Sequence, residues 1–131
     1  MEKKPINPWL WQEQYGYSQA VEVSGGQQIL YCAGQTSIGP EGTALHKDDM
    51  RAQIQLALEN LEEVLTLGGY NWSNVVRLSI YTTDLDRFIG QYGELMARLA
   101  TVVPKPAITL LGLTRLALPE LLLEIEATAV K

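Results

Sequence analysis

PKPAITLLGLTRLALPELLLEIEATAV, residues 104–130, holds two strands and a turn. Ala107–Leu113 and Leu121–Val130 are rich in β-capable residues and contain no interior proline, while Pro119 falls in the connection between them. Successive side chains of a strand alternate, so Leu121, Leu123, Ile125, Ala127 and Ala129 share one face. Leu122, Glu124, Glu126, Thr128 and Val130 share the other. One face is wholly apolar and fit to pack on helices; the opposite face carries two carboxylates about 7 Å apart along the strand. A sheet covered by helices on one side turns its second side to water, a ligand or another subunit, and that side is expected to carry the function.

Working outward, the preceding segments supply the helices and the rest of the sheet. Met50, Ile54, Ala57, Leu58, Leu61, Val64 and Leu65 recur at helical spacing behind Asp48, a plausible N-cap, and Gly68-Gly69 ends the run. Val75–Thr82 is β-branched and apolar enough for a central strand. Thr83 is expected to cap a single second helix, with Asp86 as a capping-box analogue and Leu85, Phe88, Ile89, Tyr92, Leu95, Met96 and Leu99 on its apolar face. Tyr17–Val23 alternates and runs into Gly25-Gly26, so it reads as one arm of a hairpin with Ile29–Gly34 as the other. Residues 1–14, with Pro5, Pro8, Trp9 and Trp11, read as an extended lead-in anchored by aromatic side chains rather than a regular element. The order β-β-α-β-α-β-β predicts an α+β two-layer sandwich, a mixed sheet with two helices on one face, in a single domain over residues 1–131. The uncovered face calls for another copy of the chain.

Composition narrows the function. The 131 residues carry 10 Lys and Arg against 15 Asp and Glu, a net charge of −5, and the longest basic run is Lys3-Lys4. That balance disfavours binding driven by phosphate neutralisation, so no nucleic-acid partner is expected. No stretch approaches the roughly 20 apolar residues of a membrane span, and the N-terminus lacks the apolar core of a signal peptide. The expected location is cytoplasmic, with no membrane partner. Cys32 is the only cysteine and His46 the only histidine. Neither has the neighbours that a zinc site, a thiolate nucleophile or a catalytic triad needs, and no metal or cofactor is expected. The glycines of Gly34–Gly42 fit the turns of a surface loop and match no phosphate-binding or dinucleotide pattern. Glu124 and Glu126 remain, as surface carboxylates or as an acid and base.

The segments GYSQAVEV, YCAGQT, ALENLEEVLTLGGYNWSNVVRLSIYTTDLDRF, PAITLLGL and LPELLLEIEATAV resemble, block by block and in order, the RidA family, also called the YjgF/YER057c/UK114 or L-PSP family. The resemblance runs from about Tyr15 to the C-terminus. It implies the fold of the chorismate mutase of bacilli and a homotrimer with ligand clefts between subunits. It also implies hydrolysis of reactive enamines and imines to a 2-keto acid and ammonia. In the family an arginine in the pattern P-A-R-[ST]-x-V holds the substrate carboxylate; here Ile108 stands in its place, which points to an arginine-less subgroup. The family's Ser-Gly-Gln becomes Ala33-Gly34-Gln35. Tyr17 matches the tyrosine of the family's G-P-Y block, and Glu124 matches the first glutamate of E-I-E-A, to which the family assigns positioning of the attacking water. Arg115, in the connection after the arginine's place, is the candidate substitute cation.

The expectation is therefore a trimer that binds a small metabolite, neutral or less acidic than a 2-imino acid, through Tyr17, Ala33, Gly34, Gln35, Ile108 and Arg115, with Glu124 as the catalytic candidate. The alternatives are an enamine/imine deaminase with a non-standard anion site, and a non-catalytic interaction module. Older family labels such as ribonuclease fit poorly with the acidic balance and the lone histidine.

Overall fold

The chain folds, in a computed structural model that describes residues 1–26 and 28–131, around the strand whose alternation is plainest in the sequence. That strand, β6 (Leu123–Val130), lies inside a four-stranded sheet, antiparallel to β3 (Ile29–Gln35) on one side and to β4 (Val75–Thr82) on the other. β4 also pairs in parallel with β5 (Ala107–Gly112), giving the order β3-β6-β4-β5 and a mixed sheet. Leu123, Ile125, Ala127 and Ala129 are buried on the inner face against α1 (Met50–Leu67), whose Ile54, Ala57, Leu58, Leu61 and Leu65 have at most 1% of their surface exposed. Leu78 and Ile80 of β4 complete that layer. At about 25 cal/mol per Å² of apolar surface removed from water, burial of this layer stabilises the fold. No helix among the described residues is long and apolar enough to cross a membrane.

Four local expectations need correction. The lead-in does contain regular structure: β1 (Glu2–Ile6) pairs antiparallel with β2 (Ala20–Ser24), and a 3-10 helix spans Trp11–Tyr15. Pro5 hides the strand from a propensity reading, yet an edge strand tolerates a residue without an N–H. The hairpin of Tyr17–Val23 with Ile29–Gly34 is replaced by that pairing, since β2 bonds to β1 in a separate two-stranded sheet. Gly25 takes the turn with φ 71°, but the far side of the turn includes Gln27, outside the described residues.

The second helix is two helices, α2 (Leu85–Gly90) and α3 (Gly93–Leu99), which leave Leu85 and Ile89 exposed while Phe88, Leu95 and Leu99 stay in the core. Gly90 and Gly93 flank the break, and each is about 1 kcal/mol worse than alanine inside a helix. Both caps are displaced by one residue. Asp49, not Asp48, accepts from Ala52 N at 3.0 Å, and Asp84, not Thr83, accepts from Arg87 N at 3.1 Å. The Thr83 N–H donates to Leu122 O, which carries the β4–β6 pairing one residue past Thr82 and starts the helix later. The layer plan survives these changes, with α1, α2 and α3 where two helices were expected.

Gln53 fixes the ends of the site-bearing strands. It is wholly buried on α1; its Nε2 donates to His46 O and Glu120 O, and its Oε1 accepts from Leu122 N at 2.8 Å. One amide side chain thereby ties the loop before α1 to the connection entering β6.

Candidate ligand site

β6 presents Glu124 and Glu126 on the face turned away from the helices, because their cross-strand partners are Tyr81 and Ser79 while the intervening Ile125 faces Ile80 in the core. The two carboxylates differ in their surroundings. Tyr81 Oη donates to Glu126 Oε1 at 2.6 Å, so Glu126 is engaged. That bond pushes the Tyr81 hydroxyl pKa up, reinforced by desolvation and the Glu126 charge. Glu124 accepts no hydrogen bond among the described residues, and its carboxylate is open to a water or a ligand.

Gly34 brings the neighbouring strand under Glu124. β3 carries one extra residue between Cys32 and Gln35 relative to β6, a β-bulge that shifts the pairing from Cys32↔Ala127 to Gln35↔Ile125. A methyl group on Gly34 would lie 1.9 Å from Glu124 Oε1 and 2.6 Å from its Cδ. Only glycine leaves room for this carboxylate. Gln35 continues the bulge, its Nε2 donating to Ala33 O at 3.3 Å. Gly34 and Gln35 open onto a cavity of about 770 Å³ that also borders Thr36, Asn60 and Glu63. Ala33, Gly34, Gln35 and Glu124 cluster at the bulge, with Gln35 and this cavity on the α1 side of the sheet and Glu124 on the opposite side.

Tyr17 and Ile108 form a second group, elsewhere on the chain. Ser18 N donates to Pro106 O at 2.9 Å, and an isolated parallel bridge joins Ser18 to Ala107, which lays Tyr17 beside the start of β5. Gly16 makes the approach possible with φ 72°, a left-handed conformation that glycine adopts without strain. Ile108 pairs with Leu78, so it sits on the helix-side face of the sheet, opposite to Glu124. Tyr17, Ile108 and Leu110 line a cavity of about 610 Å³ with Trp11, Tyr15 and Tyr92. Ile89 closes its side. Trp11 meets Tyr17 edge-on, with centroids 6.3 Å apart and planes at 73°. Tyr92 Oη donates to Tyr15 O at 2.8 Å, and burial, aided by the neighbouring Tyr17, pushes its pKa up to about 12.

The remaining candidates line neither cavity. Arg115 is exposed in the connection between β5 and β6, and makes no hydrogen bond or ion pair among the described residues. Cys32 is buried, and burial pushes its thiol pKa up, the environment of an inert packing residue. His46 is exposed, and no group of His, Cys, Asp and Glu able to hold a metal occurs among the described residues. Two features escaped the sequence reading. Tyr81 could have been found from the alternation of β4, which places it on the carboxylate face. The aromatic walls around Tyr17 had no such signal, since Trp11 and Tyr92 read as an anchor and a helix core position.

The mixed sheet with its helices on one face matches a known fold. The sequence model of the family described as Endoribonuclease L-PSP matches residues 12–131. The crystal structure of a protein of unknown function of the conserved Rid protein family from Yersinia pestis superposes with a TM-score of 0.89 at 34% identity, covering 100% of both chains. A Mycobacterium tuberculosis member of the highly conserved YjgF/YER057c/UK114 family superposes at 0.67, with 28% identity over 99% of this chain and 100% of that one. A RutC family protein of Pyrococcus horikoshii is 32% identical over 98% of this chain and 90% of its own length. The chain belongs to the Rid, or YjgF/L-PSP, family.

Proposed function

We propose that the chain works as a homotrimer that binds a small metabolite, neutral or less acidic than a 2-imino acid, in clefts between subunits. In this reading Tyr17 and Ile108 of one copy face Gly34, Gln35 and Glu124 of the next. The observation that carries it is the division of the site: within one chain Glu124 lies on the face of the sheet opposite to Ile108. A ligand that touches both has to lie between two copies. Glu124, unengaged and backed by a glycine, is the group that would orient a water for hydrolysis.

Ile108 offers no donor to a carboxylate, and the apolar surface around it penalises an unpaired anion. The deaminase alternative requires a cation at the cleft, and Arg115 borders neither cavity. Light scattering tests the assembly: a mass near three times the 14.5 kDa chain is expected at micromolar concentration, and a monomer overturns the reading. Ammonia release from freshly generated 2-iminobutanoate separates the two chemistries, with little or none expected.

A further inference from the structure

We propose that the cavity beside β5 binds a planar, uncharged aromatic ring, so that the metabolite is an aryl-bearing molecule rather than a short aliphatic one. This rests on the reading of Tyr17 and Ile108 as one side of the ligand cleft. Four aromatic side chains, Trp11, Tyr15, Tyr17 and Tyr92, converge on the cavity from separate parts of the chain. Its volume of about 610 Å³ falls in the range of small-molecule sites, and no charged side chain among the described residues lines it.

The rings are held before any ligand arrives. Tyr17 is braced edge-on by Trp11, and Tyr92 is braced edge-on by Phe88, at 6.1 Å and 77°. Because Tyr92 Oη is committed to Tyr15 O, Tyr92 offers the cavity its ring and not its hydroxyl. The Tyr15 and Tyr17 hydroxyls have no partner among the described residues, and each can serve as a polar handle for one hydrogen bond. Ring faces and edges of this kind favour a flat π-system in stacked or edge-to-face contact.

A quaternary ammonium group also binds aromatic walls, so the other walls must decide. Ile89, Ile108 and Leu110 make the rest of the lining aliphatic. An aliphatic wall costs a cation its hydration and returns no attraction, whereas a neutral ring gains from every wall. A carboxylate gains from none. Trp11 is 53% exposed and Ile89 57% exposed, so a ring seated between them removes apolar surface from water.

Calorimetric titration of the full chain with indole, tetramethylammonium and 2-oxobutanoate tests this, with light scattering on the same samples. Indole is expected to bind at one site per chain, and Trp11→Ala to weaken it roughly tenfold or more. Trp11→Phe, which keeps an aromatic wall and controls for misfolding, is expected to retain most of the affinity. Saturable tetramethylammonium binding without indole binding overturns the proposal in favour of a cation cage. A trimer that binds none of the three overturns it while leaving the inter-subunit cleft standing. Indole binding by a monomer supports the aromatic pocket and removes the cleft.

Discussion

Gly34 and Glu124 fit together as a void and its filling: the carboxylate occupies the space where any other residue at 34 would place its Cβ, 1.9 Å from Oε1. Gly34 does not have the positive φ that makes substitution costly, so the demand for glycine comes from Glu124 alone. Gly34→Ala is expected to displace the carboxylate and weaken ligand binding at least about tenfold, with a stability loss of roughly 1–2 kcal/mol from overpacking. In a Glu124→Ala background the same substitution should cost close to nothing. A double-mutant cycle by urea denaturation reads the coupling, and additive effects would mean that the two residues do not meet.

Glu124→Ala by itself is expected to change binding or turnover while altering stability by no more than about 0.5 kcal/mol, because its carboxylate has no partner to lose among the described residues. Tyr81→Phe supplies the contrast. It strips Glu126 of its donor and should lower stability measurably. A stability loss for Glu124→Ala as large as that of Tyr81→Phe would mark Glu124 as structural.

Gln53→Leu is expected to destabilise the chain by about 3 kcal/mol or more. The substitution leaves Leu122 N and the carbonyls of His46 and Glu120 without their buried partner. Chemical denaturation measures it directly. A change under about 0.5 kcal/mol would show that other groups take over these bonds.

Tyr92 gives a pH signature. Its hydroxyl, ordinarily near 10, is pushed up to about 12 by burial first and Tyr17 second, so the folded chain holds the proton longer than the unfolded chain does. The stability linked to this group is fully present below pH 10 and is lost as pH rises from there through 12. Tyr92→Phe should flatten that part of the profile relative to the parent. Identical slopes for parent and variant above pH 10 would contradict the burial of this hydroxyl.

With Ile108 in the proposed cleft, an upper bound on 2-imino acid chemistry is expected. A desolvated bidentate arginine contributes on the order of 3 kcal/mol to carboxylate binding, so its replacement by isoleucine should weaken a 2-imino acid at least about a hundredfold. Ile108→Arg is expected to recover part of the turnover on 2-iminobutanoate, because the half-buried position lets the guanidinium extend toward solvent. Parent turnover equal to that of arginine-bearing relatives would refute the bound.

Period and alternation made much of this readable in advance. Leu123 to Val130 and the α1 positions each write one buried face into the sequence, and tertiary packing keeps those faces where the pattern puts them. What escaped depends on choices between near-equal local options. Asp48 and Asp49 are both good caps, and only the backbone, with φ 60° at Asp48, decides between them. β1 exists because β2 offers it an open edge, not because EKKPI favours a strand. Glu124 could be singled out from its face and from a family pattern. The aromatic pocket could not, since Tyr15 and Tyr92 are 77 positions apart and meet only in the finished fold.

The sheet order has a consequence for synthesis. β6 follows β3, β4 and β5 along the chain, yet it lies between β3 and β4 and joins them. Until the ribosome has delivered residues 123–130, the partners of β6 on both sides carry open backbone edges, the kind that pair with other chains. A chain stalled before that point keeps the parallel β4–β5 pair but lacks the strand that unites the sheet. The same stretch that completes the sheet also brings Glu124 over Gly34, so a shortened nascent chain lacks both the joined sheet and this carboxylate.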